Sequence, residues 1–414
     1  MDAVGPTKYK RADVLIRRLR DRFATGGFLH HGMGKWYPGE PLPRWALGLY
    51  WRKDGEPIWH NPSLIADDNV AGKQTNDDAR AFMLHLAERL EVNPAHVMPA
   101  HEDAWYYLWK ERRLPVNVDP FDNKLENEED RARLARVFER GLEETVGYAL
   151  PLRREHYTDG TSDWSSGAWF FRLERMYLVP GDSPMGFRLP LDSIPWVKES
   201  EYPHLYEQDP MAEYPPLEAR DAISGTRERV AVAAEGRLTQ GFVNQPLGIG
   251  PTRARPLRQS ADLEHPPAVG QSAPWIIRTA LCTESRDGIL RVFLPPQQYL
   301  DDYLALVAAV EDTAADLGLP VLVEGYPPPY DPRIHAIKVT PDPGVIEVNI
   351  HPSTSWDELV KNTTALYEEA RLARLGTEKF MLDGRHTGTG GGNHLVLGGA
   401  TPQDSPFLRR PDLL

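Results

Sequence analysis

Polar side chains occupy every second position of the segment GVIEVNIHP, which spans residues 344–352. They are Glu347, Asn349 and His351, and alternate residues of a β-strand project from the same face. Carboxylate and amide oxygens are the ligands that Mg²⁺ prefers in proteins. The spacing therefore predicts a divalent-cation site on one strand face. A solvated strand face has the same pattern, so both interpretations stay open.

Two further carboxylates follow apolar runs in the C-terminal part of the chain. Glu324 ends the apolar run in PVLVEGY, and Glu284 ends the run in RTALCTE. Carboxylates at strand ends, together with a glycine-rich loop, indicate a site for a metal and a nucleotide more than a hydrolytic carboxylate pair. Glu324 can reach the same site as Glu347 in this hypothesis.

The segment GRHTGTGGGNHLVLGG, residues 384–399, holds seven glycines. Each glycine costs about 0.5–1 kcal/mol relative to alanine in regular structure, so this density indicates a loop that comes close to phosphate, metal or substrate. Strands predicted over 379–382 and 394–397 bracket the loop. Because the loop opens no helix and lacks a following Lys-Ser/Thr, neither a Walker A nor a dinucleotide-binding motif fits.

Other reactive residue types have structural interpretations. The adjacent His30 and His31 point apart along the chain, so they are expected in structural or surface roles and not at one metal. Cys282 lies in an apolar run and is predicted to be a core thiol. No Gly-x-Ser-x-Gly motif is present, so the sequence contains no nucleophile elbow of that type.

The overall composition is that of a soluble globular protein and argues against several classes of function. The 414 residues are 41% hydrophobic and 26% charged, with a formal net charge of −13, which argues against a general nucleic-acid coat. No apolar run reaches the roughly 18 residues that a membrane span requires. A single cysteine excludes an internal disulfide and fits a reducing compartment. We expect a cytoplasmic protein with neither nucleic acid nor membrane as a partner.

Hydrophobic periodicity predicts helices and strands along most of the chain. In the N-terminal part the predicted elements are helices over 12–23, 76–90 and 127–145 and a strand over 45–51 that turns at 53–55 to Ile58 and Trp59. Residues 164–196 predict a strand, a Pro-Gly-Asp turn and a strand. The C-terminal part predicts a strand over 275–283, a turn over 286–288, a strand over 289–294, a helix over 300–317 stopped by Gly318, strands over 321–324, 336–340 and 344–350, and a helix that begins with a capping box at Ser355 and Glu358 and ends before Gly376.

These elements predict an α+β fold in four parts. Residues 1–150 form a mostly helical, aromatic-rich region, and residues 151–200 form a β-rich segment. Residues 201–274 are rich in proline and predict an excursion or linker. Residues 275–414 carry the candidate site and are the expected catalytic portion.

The order of the C-terminal elements resembles the second half of the glutamine synthetase-type fold. The matching segments are the helix and strand that end in Glu324, then GVIEVN, the capped helix, EKFMLDG and GTGGGNH. Longer motifs look like a bacterial family of amidoligases that is commonly joined to a transglutaminase-like domain: RLERMYLVPGDSPMGFRLPLDSIPW, RTALCTESRDG and GKWYPGEPLPRW. The resemblance implies an antiparallel sheet of glutamine synthetase-like type with flanking helices, after a mostly helical N-terminal region.

The resemblance also implies roles for individual residues. Glu347 corresponds to the metal-binding glutamate of the Gly-x-x-Glu strand, with Asn349 beside it, and Glu324 corresponds to the metal-binding glutamate before it. His394 matches the histidine that closes the glycine loop and helps to bind metal and nucleotide phosphate. Glu284 is the remaining metal candidate, because the Glu-x-Glu pair of the synthetases is not intact here. Substrate and nucleotide are expected at the loop and its neighbours, namely Arg385, Gly390, Gly391, Gly392 and Asn393.

The implied activity is ATP-dependent amide formation with Mg²⁺ or Mn²⁺, in which a carboxylate becomes an acyl phosphate that an amine attacks. The expected partners are a small-molecule or peptide carboxylate, an amine, and a transglutaminase-like domain in the same or a neighbouring chain. Two alternatives stay open. One is a metal-dependent amide hydrolase that uses the same carboxylates without ATP, and the other is a non-catalytic peptide- or glycan-binding domain built on the aromatic N-terminal segment.

Both ends of the chain suggest a fragment of something longer. Met1 opens almost directly onto a helix-like segment, and FLRRPDLL stops where another helix starts. The late arginines and the metal-binding glutamate of the synthetase fold would lie beyond Leu414. We therefore expect this chain alone to bind ATP poorly.

Overall fold

The structure is a computed structural model. It describes residues 4–38, 43–103, 105–106, 144–157, 161–172, 174–180, 187–202, 214–220, 223, 264–388, 394–399 and 401–413. Residues 127–143 of the third predicted helix lie outside these ranges, as does most of the proline-rich stretch. Thr145, predicted at the end of that helix, instead begins a strand.

Five helices are present in the described part of the chain: α1 Pro6–Phe23, α2 Asn76–Arg89, α3 Leu300–Leu317, α4 Trp356–Leu372 and α5 Pro406–Arg409. The first four confirm predicted helices, although α1 begins earlier than expected. Thr75 and Asp78 form a capping box at the start of α2. Gly318 ends α3 in the left-handed conformation, with φ of 63°.

The start of α4 differs from the predicted capping box in one contact. The Ser355 hydroxyl accepts a hydrogen bond from the backbone N–H of Glu358 at 3.2 Å, as expected. The Glu358 carboxylate accepts from the backbone N–H of Thr354 at 2.7 Å, one residue before the position that a capping box requires. The helix therefore has Ser355 as its predicted N-cap, but Glu358 bonds the N–H of Thr354 and not that of Ser355.

The strands form one large sheet and two small ones. The strands are β1 Phe28–Met33, β2 Trp45–Arg52, β3 Met98–Glu102, β4 Thr145–Pro151, β5 Arg153–His156, β6 Ser162–Ser165, β7 Met176–Pro180, β8 Phe187–Arg188, β9 Ala280–Arg286, β10 Ile289–Leu294, β11 Val321–Gly325, β12 Ile334–Asp342, β13 Val345–Asn349, β14 Lys379–Phe380 and β15 His386–Thr387. The large sheet has the order β13-β12-β2-β1-β11-β10-β9-β4-β3-β7-β8, while β5–β6 and β14–β15 pair separately.

The large sheet is mixed, so the antiparallel sheet expected from the sequence is only part of the arrangement. β1 with β11, β10 with β11, and β3 with β7 run parallel, and the other neighbours run antiparallel. Parallel neighbours need a crossover connection, and α3 supplies it between β10 and β11. The fold is α+β in content.

Strands from both ends of the chain share the large sheet. β1 and β2 lie between β12 and β11, so N-terminal strands are inserted among C-terminal ones. The described part of the first 150 residues contains α1, α2, β1, β2, β3 and all but the last residue of β4. This region therefore has more β-structure than the sequence predicts. The boundaries expected at 150, 200 and 274 stay predictions.

The β9–β10 hairpin confirms the turn chemistry of the sequence. β9 and β10 pair through Asp287 and Gly288, whose φ angles of 55° and 72° are those of a type I′ turn. β9 begins at Ala280, later than the predicted start at 275. β7 and β8 pair antiparallel, but residues 181–186 between them lie outside the described ranges, so the Pro-Gly-Asp turn stays a prediction.

The hairpin predicted from β2 to Ile58 and Trp59 is wrong. Both edges of β2 are already paired, one with β1 and the other with β12. Ile58 and Trp59 instead donate their backbone N–H groups to the carbonyl oxygen of Gly26, at 3.1 and 3.2 Å. Long-range pairing has displaced the local partner.

The strands predicted around the glycine-rich loop are only partly correct. β14 forms within the expected range, but its partner β15 precedes the run of glycines. Residues 394–397, predicted as the partner, form no strand, and Leu395 and Val396 are 69% and 92% exposed. The hairpin therefore closes around Asp383 and Gly384.

The two faces of the large sheet pack against different helices. One face, the α2/α3 face, carries the largest apolar cluster, with Phe82 and Val292 among its buried members. The opposite face, the α1/α4 face, is apolar where Leu15 of α1 packs near Leu47. His30 projects into the α2/α3 face and is 2% exposed, and burial lowers its pKa to about 3. It is a neutral core residue, as the sequence predicts.

The loop before α2 is held against the β9–β10 turn by a close approach of two backbones. The N–H of Gly72 donates to the carbonyl oxygen of Asp287 at 3.3 Å, and the N–H of Gln74 donates to that of Gly288 at 2.9 Å. A β-carbon on Gly72 would lie 1.8 Å from the Gly288 carbonyl oxygen. Only glycine fits there, and the contact fixes the loop that carries Asp68.

We expect Gly72→Ala to lower the free energy of unfolding by about 1–3 kcal/mol or more, because the added carbon forces two backbones apart. Gly388→Ala is the matched control, since a β-carbon there meets nothing within 4 Å. Its expected effect is within about 0.5 kcal/mol. Urea unfolding followed by circular dichroism measures both, and equal unfolding free energies would contradict the close approach.

Candidate functional site

A buried carboxylate lies between two arginines near the centre of the large sheet. Glu324 on β11 is 6% exposed, and Arg291 on β10 is 7% exposed. Glu324 Oε1 accepts a hydrogen bond from Arg291 Nη1 at 2.5 Å and from Arg286 Nη2 at 2.6 Å. We name Glu324, Arg291, Arg286, Glu284 and Asp68 the arginine–carboxylate cluster.

The β9–β10 hairpin places three members of this cluster on one face. Glu284 lies directly opposite Arg291, and Arg286 is two residues after Glu284, so their side chains project together. Arg286 Nη2 lies 3.6 Å from Glu284 Oε1. Glu324 pairs in register with His31, which pairs with a core residue of the α1/α4 face. The cluster therefore projects from the α1/α4 face.

Asp68 and helix α1 complete the cluster from outside the sheet. Asp68 forms an ion pair with Arg291 and accepts a hydrogen bond from the Tyr9 hydroxyl at 2.9 Å. Burial by itself would lower the pKa of Arg291, but Glu324 and Asp68 raise that pKa above its usual range. Burial and Asp68 raise the pKa of Tyr9. Arg291 is therefore a permanent cation, and Tyr9 keeps its proton as a donor.

A further carboxylate lies beside the cluster, under α1. Asp13 is 1% exposed and accepts hydrogen bonds from Arg17 Nε at 3.0 Å and Asn69 Nδ2 at 2.7 Å. His31 Nε2 lies 3.9 Å from Asp13, an ion-pair distance and not a hydrogen bond, so Arg17 is the firmer partner. Burial would raise the pKa of Asp13, but His31 and Arg17 together lower it below its usual value. Asp13 is ionised at neutral pH.

Glu324 offers a carboxylate oxygen to an added ligand. Glu324 Oε2 is buried and has no hydrogen-bond partner among the described residues. A buried acceptor in that state costs free energy, so a cation or a donor placed there is stabilising. The side chain of Arg286 is 27% exposed, against 8% for Arg291, so Arg286 is the cation that an anion can reach.

The donor set fits a divalent cation that brings ligands of its own. In the described ranges, no three His, Cys, Asp or Glu side chains are arranged to hold a metal ion by themselves. Mg²⁺ commonly takes only one or two protein carboxylates when phosphates and water supply the other oxygens. Glu324 and Glu284, both next to Arg286, can provide that number.

The structure does not bring Glu347 and Asn349 to the cluster. Both lie on β13, the edge strand of the large sheet, and both are exposed. The register through β12, β2 and β1 places Asn349 on the same face as His30, whereas Glu324 shares a face with His31. The two groups thus lie on opposite faces and four strand spacings apart, about 19 Å along the sheet.

His351 departs from the predicted row of polar side chains. β13 ends at Asn349, and the His351 ring packs 5.0 Å from Trp51 and 5.2 Å from His335. Its Nε2 lies 3.2 Å from Nδ2 of Asn362. Burial lowers the pKa of His335 to about 4 and also lowers that of His351. These histidines are neutral packing residues at neutral pH.

The other predicted site residues lie near the C-terminal end of the described chain. His394 is exposed and belongs to no strand. The Arg385 side chain is 84% exposed and lies 3.5 Å from Asp383. Gly390, Gly391, Gly392 and Asn393 lie outside the described residues, so their roles in binding nucleotide and substrate stay predictions.

Sequence reasoning misses the basic half of the cluster. Arg291 interrupts the apolar run ILRVFL, and Asp13 interrupts the apolar side of α1, so a charge at a core position is the signal that identifies both. Arg286, predicted in a turn, is the last residue of β9. Asp68 lies in a loop and carries no such signal. Cys282 is only half-buried, beside an apolar cluster, so the predicted core position is met in part, and burial raises the pKa of its thiol to about 12.

Comparison with protein families gives a match over the whole chain. The family described as "Putative amidoligase enzyme (DUF2126)" matches residues 1–414. The chain belongs to this family. The match confirms the amidoligase resemblance of the sequence, while the transglutaminase association and the glutamine synthetase-like fold stay predictions.

We also compared the chain with curated proteins and with solved structures, and we inspected its helices for membrane spans. Neither the curated proteins nor the solved structures give a match to this member of the amidoligase family. Within the described ranges, every helix is too short or too polar to pass through a lipid bilayer.

Removing the central arginine of the cluster tests its energetic role. We expect Arg291→Met to lower the free energy of unfolding by about 3–5 kcal/mol, because Glu324 and Asp68 would keep buried charges without their partner. Arg385→Met, at an exposed arginine, should change it by less than about 0.5 kcal/mol. Chemical denaturation measures both. A small effect of Arg291→Met would show that water reaches the cluster.

The lowered pKa of Asp13 predicts a pH dependence of stability. Its ionised form stabilises the fold above the ordinary aspartate pKa of about 3.9, and this contribution is lost as pH falls through the lower folded value. Asp13→Asn removes the contribution. Its free energy of unfolding should therefore fall less steeply than that of the wild type between about pH 4 and pH 2. Parallel curves for the two chains would contradict the ion pairing.

Proposed function

We propose that this chain is a catalytic portion of an ATP- and Mg²⁺-dependent carboxylate–amine ligase that forms an amide or peptide bond. The observation that carries the proposal is the arginine–carboxylate cluster in a member of the amidoligase family. There Glu324 is held by Arg291 and Arg286 while its Oε2 has no partner among the described residues. Charge that develops during phosphoryl transfer is stabilised by cations and fixed donors of this kind.

In this proposal each member of the cluster has a separate role. Glu324 and Glu284 would hold Mg²⁺ or Mn²⁺, with nucleotide phosphates supplying other oxygens. ATP, when bound, supplies the phosphoryl group that converts the substrate carboxylate into an acyl phosphate for attack by the amine. Arg286 binds an anionic group of phosphate or substrate, for which its planar fork of donors is suited.

Arg291 acts as a positioning residue. Its Nη1 is bonded to Glu324 and its Nη2 to Asp68, so a carboxylate holds each arm of the guanidinium group. It fixes the direction of the Glu324 carboxylate. Tyr9 and helix α1 cover the cluster on the side away from the sheet through the hydrogen bond to Asp68. Such covering favours aminolysis, because water would hydrolyse an activated acyl group.

The residues implied by the resemblance are separate candidates. Glu347, Asn349, Arg385 and His394 lie apart from the cluster or on exposed surface, and the glycine loop lies outside the described residues. Their proposed part in nucleotide binding is open to the same assay. We also propose that the substrates are a carboxylate and an amine and that a transglutaminase-like domain is a partner.

A pair of isosteric substitutions distinguishes the two places for a nucleotide. Glu324→Gln keeps the side-chain shape but removes the charge, so we expect Mg²⁺-dependent ATP binding to weaken about tenfold or more. Glu347→Gln, on the exposed edge strand, is the matched control and should bind as the wild type does. Isothermal titration calorimetry measures the affinities, with thermal melts to verify that both variants fold.

Three results would change the proposal. Weakened binding in Glu347→Gln alone would place the nucleotide at β13, as the resemblance implies. Amide hydrolysis without ATP would favour the hydrolase alternative. ADP release that requires neither carboxylate nor amine would contradict a ligase.

A further inference from the structure

A serine, a histidine and a glutamate outside the arginine–carboxylate cluster form a hydrogen-bonded row. His96 Nδ1 lies 3.0 Å from the Ser166 hydroxyl, and His96 Nε2 lies 2.9 Å from Glu264 Oε1. His96 is 5% exposed and Ser166 is 8% exposed, while about half of the Glu264 side chain is exposed. The proposed ligase chemistry uses none of the three.

The three residues of the row lie in short segments outside the large sheet. His96 ends a 3₁₀ turn whose first N–H groups are capped by Asn93, with the Asn93 side chain accepting from Ala95 at 3.0 Å. Ser166 follows directly after β6. Glu264 lies in the chain segment that leads to Ile277, whose carbonyl oxygen accepts a hydrogen bond from the Trp169 indole N–H at 2.5 Å.

The partners of His96 decide its tautomer. A carboxylate at neutral pH only accepts hydrogen bonds, so the proton of neutral His96 lies on Nε2, towards Glu264. The lone pair of Nδ1 then faces the hydroxyl of Ser166, which must donate. A hydroxyl that donates to an imidazole, which a carboxylate orients from its other nitrogen, is the arrangement of an activated serine nucleophile.

We propose that Ser166, His96 and Glu264 form a second site, which cleaves small carboxylic esters through an acyl-serine. Ser166 Oγ attacks the ester carbonyl carbon, and its proton passes to His96 Nδ1. The tetrahedral adduct collapses, the bond to the alcohol oxygen breaks, and the alcohol leaves with the proton from His96. Water then attacks the acyl-serine by the same route and restores the serine. The low exposure of Ser166 limits the acyl group to a short one.

The test uses the full chain and a fluorophosphonate probe, which forms a covalent adduct with activated serines. Peptide mass mapping should place the adduct on Ser166, and Ser166→Ala should abolish it. Ser165→Ala, at the neighbouring serine of β6, is the matched control and should be labelled as the wild type is. Release of p-nitrophenol from p-nitrophenyl acetate should fall by about 10²-fold or more in His96→Gln.

A second variant keeps the test decisive if His96→Gln fails to fold. Glu264 is half exposed, so Glu264→Gln should fold, and it should slow labelling at neutral pH because the carboxylate no longer orients the ring. A folded wild-type chain without an adduct at Ser166 would overturn the proposal. Equal labelling rates in the wild type and in Glu264→Gln would overturn it as well. ATP binding is measured separately, so this result is independent of the proposed ligase.

Discussion

The ion pairs of Arg291 connect more parts of this fold than any other contact described above. Its guanidinium group bonds Glu324 of the adjacent strand and Asp68 of the loop before α2, and Asp68 in turn accepts from Tyr9 of α1. Taking these charges out of water costs several kcal/mol each, and only mutual pairing offsets the cost. Arginine suits this position because its planar fork of donors can bond two carboxylates at once.

This requirement explains why one sheet face differs from the other. The α2/α3 face is filled by apolar side chains against two helices, and the histidine it contains, His30, is neutral. The α1/α4 face is apolar near β12 and β2 but carries the cluster at β9 to β11, where Glu324 and His31 lie on neighbouring strands. Adjacent residues of a strand project from opposite faces. On β1, His30 therefore packs in the apolar core, whereas His31 lies on the face that carries the cluster.

Much of the local structure follows from the sequence, because local chemistry determines it. Gly318 ends α3, Asp287 and Gly288 form the β9–β10 turn, and Thr75 begins α2. Strand order does not follow in this way. The place of β1 between β2 and β11 depends on contacts almost 300 residues apart, and that pairing also removed the hairpin expected at Ile58.

The candidate site is predictable only in its acidic half for the same reason. Glu324 and Glu284 are visible as carboxylates that end apolar runs, but their arginine partners come from the two strands of the β9–β10 hairpin and Asp68 comes from a loop. Glu347 and Asn349 lie apart from the cluster, and their alternation fits a solvated edge strand and a ligand row equally well. Arg291 within ILRVFL was the clearest signal, since an apolar strand rarely keeps a charge without a partner.

The charges around Arg291 also bear on what the site can bind. The cluster and its neighbours under α1 contain four carboxylates, of Asp13, Asp68, Glu284 and Glu324, and three guanidinium groups, of Arg17, Arg286 and Arg291. These described acidic and basic groups carry one negative charge more than positive charge. A divalent cation at Glu324 Oε2 would turn that excess into one positive charge. If the cation arrives with nucleotide phosphates, a phosphate can bind the exposed side of Arg286. One metal–nucleotide ligand would then bind both Glu324 Oε2, through the cation, and Arg286, through a phosphate.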